Sequence, residues 1–135
     1  MALFEWNDSY SIGIASIDVQ HRKIVDLLNR LHVAMHEGHG KDVLGSIFEE
    51  LIAYTKTHFA TEERYFSAFK YPDAAAHVAE HTALTSKALA LREDFKGGKV
   101  VLTGDVLDFL KDWLKHHIGG SDKNYSAFLI GKGVR

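Results

Sequence analysis

The sequence predicts an all-α protein, an up-down-up-down four-helix bundle with an extended N-terminal arm. Three observations point there. Proline occurs once in 135 residues, at Pro72, so long helices can run uninterrupted on either side. Apolar residues recur at three- and four-residue spacing through four segments, as helices with one buried face require. The breaker clusters Gly38-His39-Gly40, Lys70-Tyr71-Pro72-Asp73 and Gly97-Gly98 separate these segments. Short connections favour antiparallel neighbours.

The arm, roughly residues 1–16, carries Phe4, Trp6, Tyr10, Ile12 and Ile14 without helical spacing, and reads as a strap across the bundle. Helix A opens near Asp18 and runs to about Glu37, turning His21, Ile24, Leu28, Leu31 and Met35 inward. Helix B runs from about Asp42 to Ala68. At about 100° per residue its inner face holds Leu44, Ile47, Leu51, Tyr54, His58, Glu62, Tyr65 and Phe69. Helix C, from about Asp73 to Lys96, lines up His77, His81, Leu84, Ala88, Leu91 and Phe95 before stopping at Gly97-Gly98. A loop through Val100 and Val101 leads to helix D, which starts near Gly104. That helix aligns Val106, Leu110, Trp113, Leu114 and His117, and a terminal piece follows Gly119-Gly120.

Apolar residues make up 46% and charged residues 25%, which suits one globular domain over residues 1–135. A net charge of -2 without basic runs gives no reason to expect nucleic-acid binding. The absence of cysteine removes disulfides, thiolate-bound zinc, iron–sulfur clusters and cysteine nucleophiles. Neither a signal-like start nor an apolar run of the roughly 20 residues that span a bilayer is present, so a cytoplasmic location is expected. No extra apolar stripe stands out, and a monomer is the expectation.

The inner faces carry an unusual load: His21, His58, Glu62, His77, His81, His117 and Asp122. Burying that many ionisable groups without partners costs several kcal/mol each. A metal supplies the partner, since imidazole and carboxylate suit iron, zinc or manganese. Seven N/O ligands exceed the four of a structural zinc and suit two ions sharing the carboxylates. His58 and Glu62, like His77 and His81, stand four residues apart, on one face and one turn apart. His117 and Asp122 are five apart, which a regular helix would splay. Gly119-Gly120 between them permits a kink or wider turn. His32 and His36 share the four-residue spacing but lie about 16 Å beyond His21 along the helix. No matching ligands occur at their level, so they read as structural or surface residues. His39 and His116 read as solvated.

Five segments, DVQHRKIVDLLN, HFATEERYF, HVAEH, WLKHHIGGSDKNY and the arm FEWNDSYSIGIASID, together resemble the hemerythrins, most closely the bacterial single-domain members. The resemblance covers nearly the whole chain and all seven ligand positions. It implies that His77, His81 and His117 hold one non-haem iron and His21 and His58 the other. Glu62 and Asp122 would bridge the two ions with an oxo or hydroxo group, leaving one position open on the second. The implied function is reversible dioxygen binding for transport, storage or delivery, without enzymatic turnover. The recipient would be an unidentified oxygen-consuming protein. A di-iron scavenger or oxidase, or an oxygen or iron sensor, is the alternative. Ligand balance favours the carrier, because ferritin-like oxidases use about four carboxylates and Glu-x-x-His pairs, which this sequence lacks. Trp113, Leu114 and Ile118 flank His117 and are the candidates for an apolar oxygen pocket. Asp18, Gln20, Tyr65 and Tyr125 are conceivable hydrogen-bond partners of the ligands.

Overall fold

A computed structural model describes residues 3–38, 41–97 and 104–135. It is a four-helix bundle with no strand among the described residues. Helices α1 (Ala15–His36), α2 (Lys41–Phe69), α3 (Ala74–Lys96) and α4 (Gly104–His116) follow in order. A π-helical turn over His117–Asp122 then continues into α5 (Lys123–Gly131). α2 packs on both α1 and α3, while α4 packs on α1. The expected loop at Val100 and Val101 lies outside the described residues.

The arm straps the bundle as expected, with Phe4, Ile12 and Ile14 buried and a single 3-10 turn at Asp8–Tyr10. The Asn29 side chain clamps it from α1, accepting from the Phe4 amide at 3.0 Å and donating to its carbonyl at 2.8 Å. Helix α1 begins at Ala15, three residues before the expected start at Asp18. Asp18 has a different task. Its carboxylate reaches back to accept from the Ser11 hydroxyl at 2.5 Å and the Ile12 amide at 2.9 Å, tying the arm to the first turn.

The connection from α2 to α3 turns on Lys70, whose φ of 57° places it in the left-handed region. This lets the Tyr71 amide reach back to the Phe66 carbonyl at 3.0 Å and close the helix end. Two apolar clusters result. The larger holds Ile24, Leu28, Phe48, Leu51, Leu84, Leu107, Leu114 and Ile118 among others. The smaller gathers Ile14, Ile17, Phe66, Tyr71, Tyr125 and Leu129 beneath the arm. On α2 the buried aromatics are Phe48, Phe59 and Phe66, whereas the expected Tyr54, Tyr65 and Phe69 are only half-buried. Over 29 residues the inward face drifts around the helix, so a stripe extrapolated at fixed spacing slips to neighbouring positions.

Candidate metal centre

Each of the four main helices or its continuation sends histidine into one layer. His21 comes from α1, His58 and Glu62 from α2, His77 and His81 from α3, and His117 and Asp122 from the π-helical turn. All seven side chains are at most 3% exposed, so water does not satisfy them. Phe59, from the larger apolar cluster, stacks on His81 at 3.8 Å between ring centres. Phe66 and Tyr125, from the smaller one, meet His77 edge-on at 4.9 and 5.3 Å. The polar layer is thus walled by apolar rings.

The ligand atoms form two overlapping groups. Glu62, His77, His81, His117 and Asp122 make one; His21, His58, Glu62 and Asp122 make the other, each within 4.8 Å throughout. The carboxylates are common to both. Asp122 divides its oxygens: Oδ2 lies 3.0 Å from His21 Nε2, and Oδ1 lies 2.9 Å from His77 Nε2 and 3.1 Å from His117 Nε2. Glu62 Oε1 stands 3.3 Å from His58 Nε2 and 3.1 Å from His81 Nε2. The π-helical turn makes this possible, because its wider pitch brings Asp122 round to the face of His117. Neither Gly119 nor Gly120 takes a positive φ, and a Cβ on either would meet nothing within 4 Å. The wide turn therefore needs no backbone conformation reserved for glycine.

Outer partners fix which nitrogen faces inward. His58 Nδ1 donates to Gln20 Oε1 at 2.7 Å, and His81 Nδ1 donates to Glu63 Oε2 at 2.9 Å. In the neutral tautomer each ring then directs its Nε2 lone pair toward the carboxylates. His117 Nδ1 has the Glu80 carboxylate at 3.8 Å, and Glu80 in turn accepts from Ser121 at 2.8 Å. The Tyr125 hydroxyl donates to Glu62 Oε2. Burial and the Glu62 and Asp122 charges push the Tyr125 hydroxyl far up, so it stays a donor. Of the expected outer partners, Gln20 and Tyr125 take such positions. Asp18 instead holds the arm, and the Tyr65 hydroxyl meets Ser16 at 3.3 Å. Glu63 and Glu80 were not anticipated. They sit at the flanks of the inward faces, where a glutamate reads as an ordinary solvent-facing residue.

The donor set fits cations. His21 Nε2, His58 Nε2, His77 Nε2, Glu62 Oε1 and both Asp122 oxygens are buried without any hydrogen bond. His81 Nε2 lies 3.2 Å from His117 Nε2. Two imidazole nitrogens that close can both face one cation. Burial raises Glu62 and the Asp122 charge adds to that, yet the close imidazoles of His58 and His81 outweigh both and hold it down at about 2. Asp122 is likewise held below its usual range, His117, His21 and His77 overcoming its burial. Burial keeps His58 below its ordinary value despite Glu62. Ionised carboxylates facing imidazole lone pairs are the donor chemistry of iron, zinc or manganese.

His32 and His36 lie outside both groups, half-buried and exposed respectively, and His116 is exposed on the outer face of α4. His39 lies outside the described residues. Of the pocket candidates, Leu114 lines an apolar cavity of ≈ 40 Å³ with Ile24, Leu28, Leu51 and Leu110. Ile118 is fully buried in the larger cluster. Trp113 is half-buried and stacks on His117 at 4.4 Å. Neither of the last two lines that cavity. Among the described residues no helix is long and apolar enough to cross a membrane.

The Hemerythrin HHE cation binding domain matches residues 12–129. The bacteriohemerythrin of Stenotrophomonas maltophilia is 36% identical over 126 residues, covering 93% of this chain and 81% of its own. That of Methylococcus capsulatus is 34% identical over 130 residues, covering 96% and 98%. A crystal structure of wild-type hemerythrin superimposes with a TM-score of 0.89 at 33% identity, covering 93% of this chain and 97% of that one.

Proposed function

The chain belongs to the hemerythrin family, and from that premise we propose that it binds dioxygen reversibly at a pair of non-haem iron ions, for transport, storage or delivery. In this reading residues 1–135 act as a single domain. His77, His81 and His117 would hold one ion, His21 and His58 the other, and Glu62 and Asp122 would serve both. Two ferrous ions would supply the electrons that reversible oxygen binding needs. The observation that carries the reading is the division of Asp122, one oxygen toward His21 and the other toward His77 and His117.

The chain's own groups then have distinct tasks. Gln20 and Glu63 hold His58 and His81 with Nε2 inward. Tyr125 donates to Glu62 and fixes its rotamer. Three histidines against two leave the second group one donor poorer, so that side is where a small molecule enters. Leu114, one helical turn before His117, lines the apolar cavity and, with Ile118 and Trp113, would keep water and protons from the ions. A dry wall supports carriage over oxidation.

Anaerobic reconstitution with ferrous iron, followed by absorption spectra through cycles of oxygen and vacuum, tests the reading. An oxygen-dependent band that returns undiminished over repeated cycles is expected. Peroxide release or oxidation of an added reductant over many turnovers per site would replace the carrier with an enzyme.

A further inference from the structure

The last turns of α1 carry a second pair of histidines that the proposed centre does not use. His32 and His36 stand four residues apart, with ring centres 4.4 Å apart and planes at 81°. His77 and His81, also four apart, have ring centres 4.7 Å apart and planes at 86°, and their ligand atoms converge within 4.8 Å. The outer pair thus has a ring spacing and tilt close to those of an inner pair whose nitrogens meet. Unlike the inner pair it is accessible, with His36 exposed and His32 half-buried. Both border a cleft of ≈ 370 Å³, together with Val33 and Glu37.

We propose that His32 and His36 form an exchangeable surface site for a late-transition divalent cation, separate from the buried layer and selective for copper(II) over nickel(II) and zinc(II). Two imidazoles one turn apart chelate a single ion, and water completes its shell. The preference follows the general order of nitrogen-site affinities, which peaks at copper. Two further features favour a cation. The site lies at the carbonyl end of α1, where the helix dipole is negative. Burial and the neighbouring His36 keep His32 below its ordinary value, so its lone pair is available near neutral pH. Eleven residues separate His32 from His21, about 16 Å along the axis. One ion therefore cannot be shared with the buried layer.

The test is titration of the iron-loaded protein with copper(II) alone, followed by electron paramagnetic resonance and by the iron absorption bands. One copper per chain with hyperfine splitting from two nitrogens is expected, the iron bands staying unchanged. His32→Gln and His36→Gln should each weaken copper binding at least tenfold. His116→Gln, a lone exposed histidine bonded to the Asp112 carbonyl, should leave it as in the wild type. Nickel(II) and zinc(II) should compete only at higher concentration. Wild-type copper affinity in the His32→Gln/His36→Gln double variant would overturn the site. So would loss of iron absorption in proportion to copper added. These outcomes are independent of whether the iron centre carries oxygen, because the copper signal and stoichiometry are read directly.

Discussion

Asp122 and Glu62 lie between the two histidine groups, and the residues behind them decide how firmly that arrangement holds. A histidine oriented by an outer partner typically loses 10- to 100-fold in metal affinity when the partner is removed. Glu63, at 2.9 Å from His81 Nδ1, should behave that way. Glu80, at 3.8 Å from His117 Nδ1, is beyond hydrogen-bond range. Iron-binding titrations of Glu63→Ala and Glu80→Ala should therefore show the larger loss for Glu63→Ala, and the reverse order would contradict the geometry. Leu114→Ala enlarges the adjoining cavity, and a buried leucine truncated to alanine costs about 2–5 kcal/mol. With all seven inner residues intact, iron content should hold while the oxygenated form decays faster to ferric. Unchanged decay would reduce Leu114 to packing. At this scale the inner set was legible in the sequence because each member is a metal-ligand residue on an inward helical face. Glu63, Glu80 and Phe59 were not legible. Their roles depend on which flank of α2 or α3 meets which neighbour, and spacing alone does not carry that information.

The helices themselves were legible to within a few residues, and the differences have local causes. Asp18 looked like a helix opener, yet its carboxylate serves the arm, and α1 starts at Ala15. The wide turn between His117 and Asp122 was expected from the five-residue spacing, but its glycines turned out to be uncrowded and right-handed. Gly120→Ala should therefore keep full iron content with an unchanged or slightly higher melting temperature. Loss of iron would mean that the turn depends on glycine. Lys70 closes α2 at a φ of 57°, where a side chain pays for its Cβ. Lys70→Gly should raise stability by about 0.5–1 kcal/mol in chemical denaturation, part of the relief being offset by glycine's greater freedom when unfolded. A destabilised variant would show that the lysine side chain holds the turn by contacts of its own.

Across the whole molecule, the fold and the polar layer depend on one another. Four helices converge on seven buried ionisable groups, and bound cations would partner their carboxylate oxygens and inward-facing nitrogens. Metal-free protein should consequently melt well below the loaded form, because binding to the folded state alone adds directly to stability. Equal melting temperatures after verified metal removal would contradict this. Acid should act in the same direction. Imidazoles must be unprotonated to bind, so lowering the pH through the histidine range replaces metal with protons and removes that stabilisation. Iron release followed by gel filtration should rise as the pH falls through the histidine range, and iron retained undiminished down to about pH 4 would contradict this.

The most direct measurement of the central claim is iron per chain after anaerobic reconstitution and removal of free metal, in the wild type and in Asp122→Ala. Two irons per chain are predicted for the wild type. The variant should hold at most one firmly bound iron, because the oxygens that reach both histidine groups are gone. A single zinc per chain with no iron uptake, or two irons retained unchanged in Asp122→Ala, would contradict a dinuclear centre joined through that carboxylate.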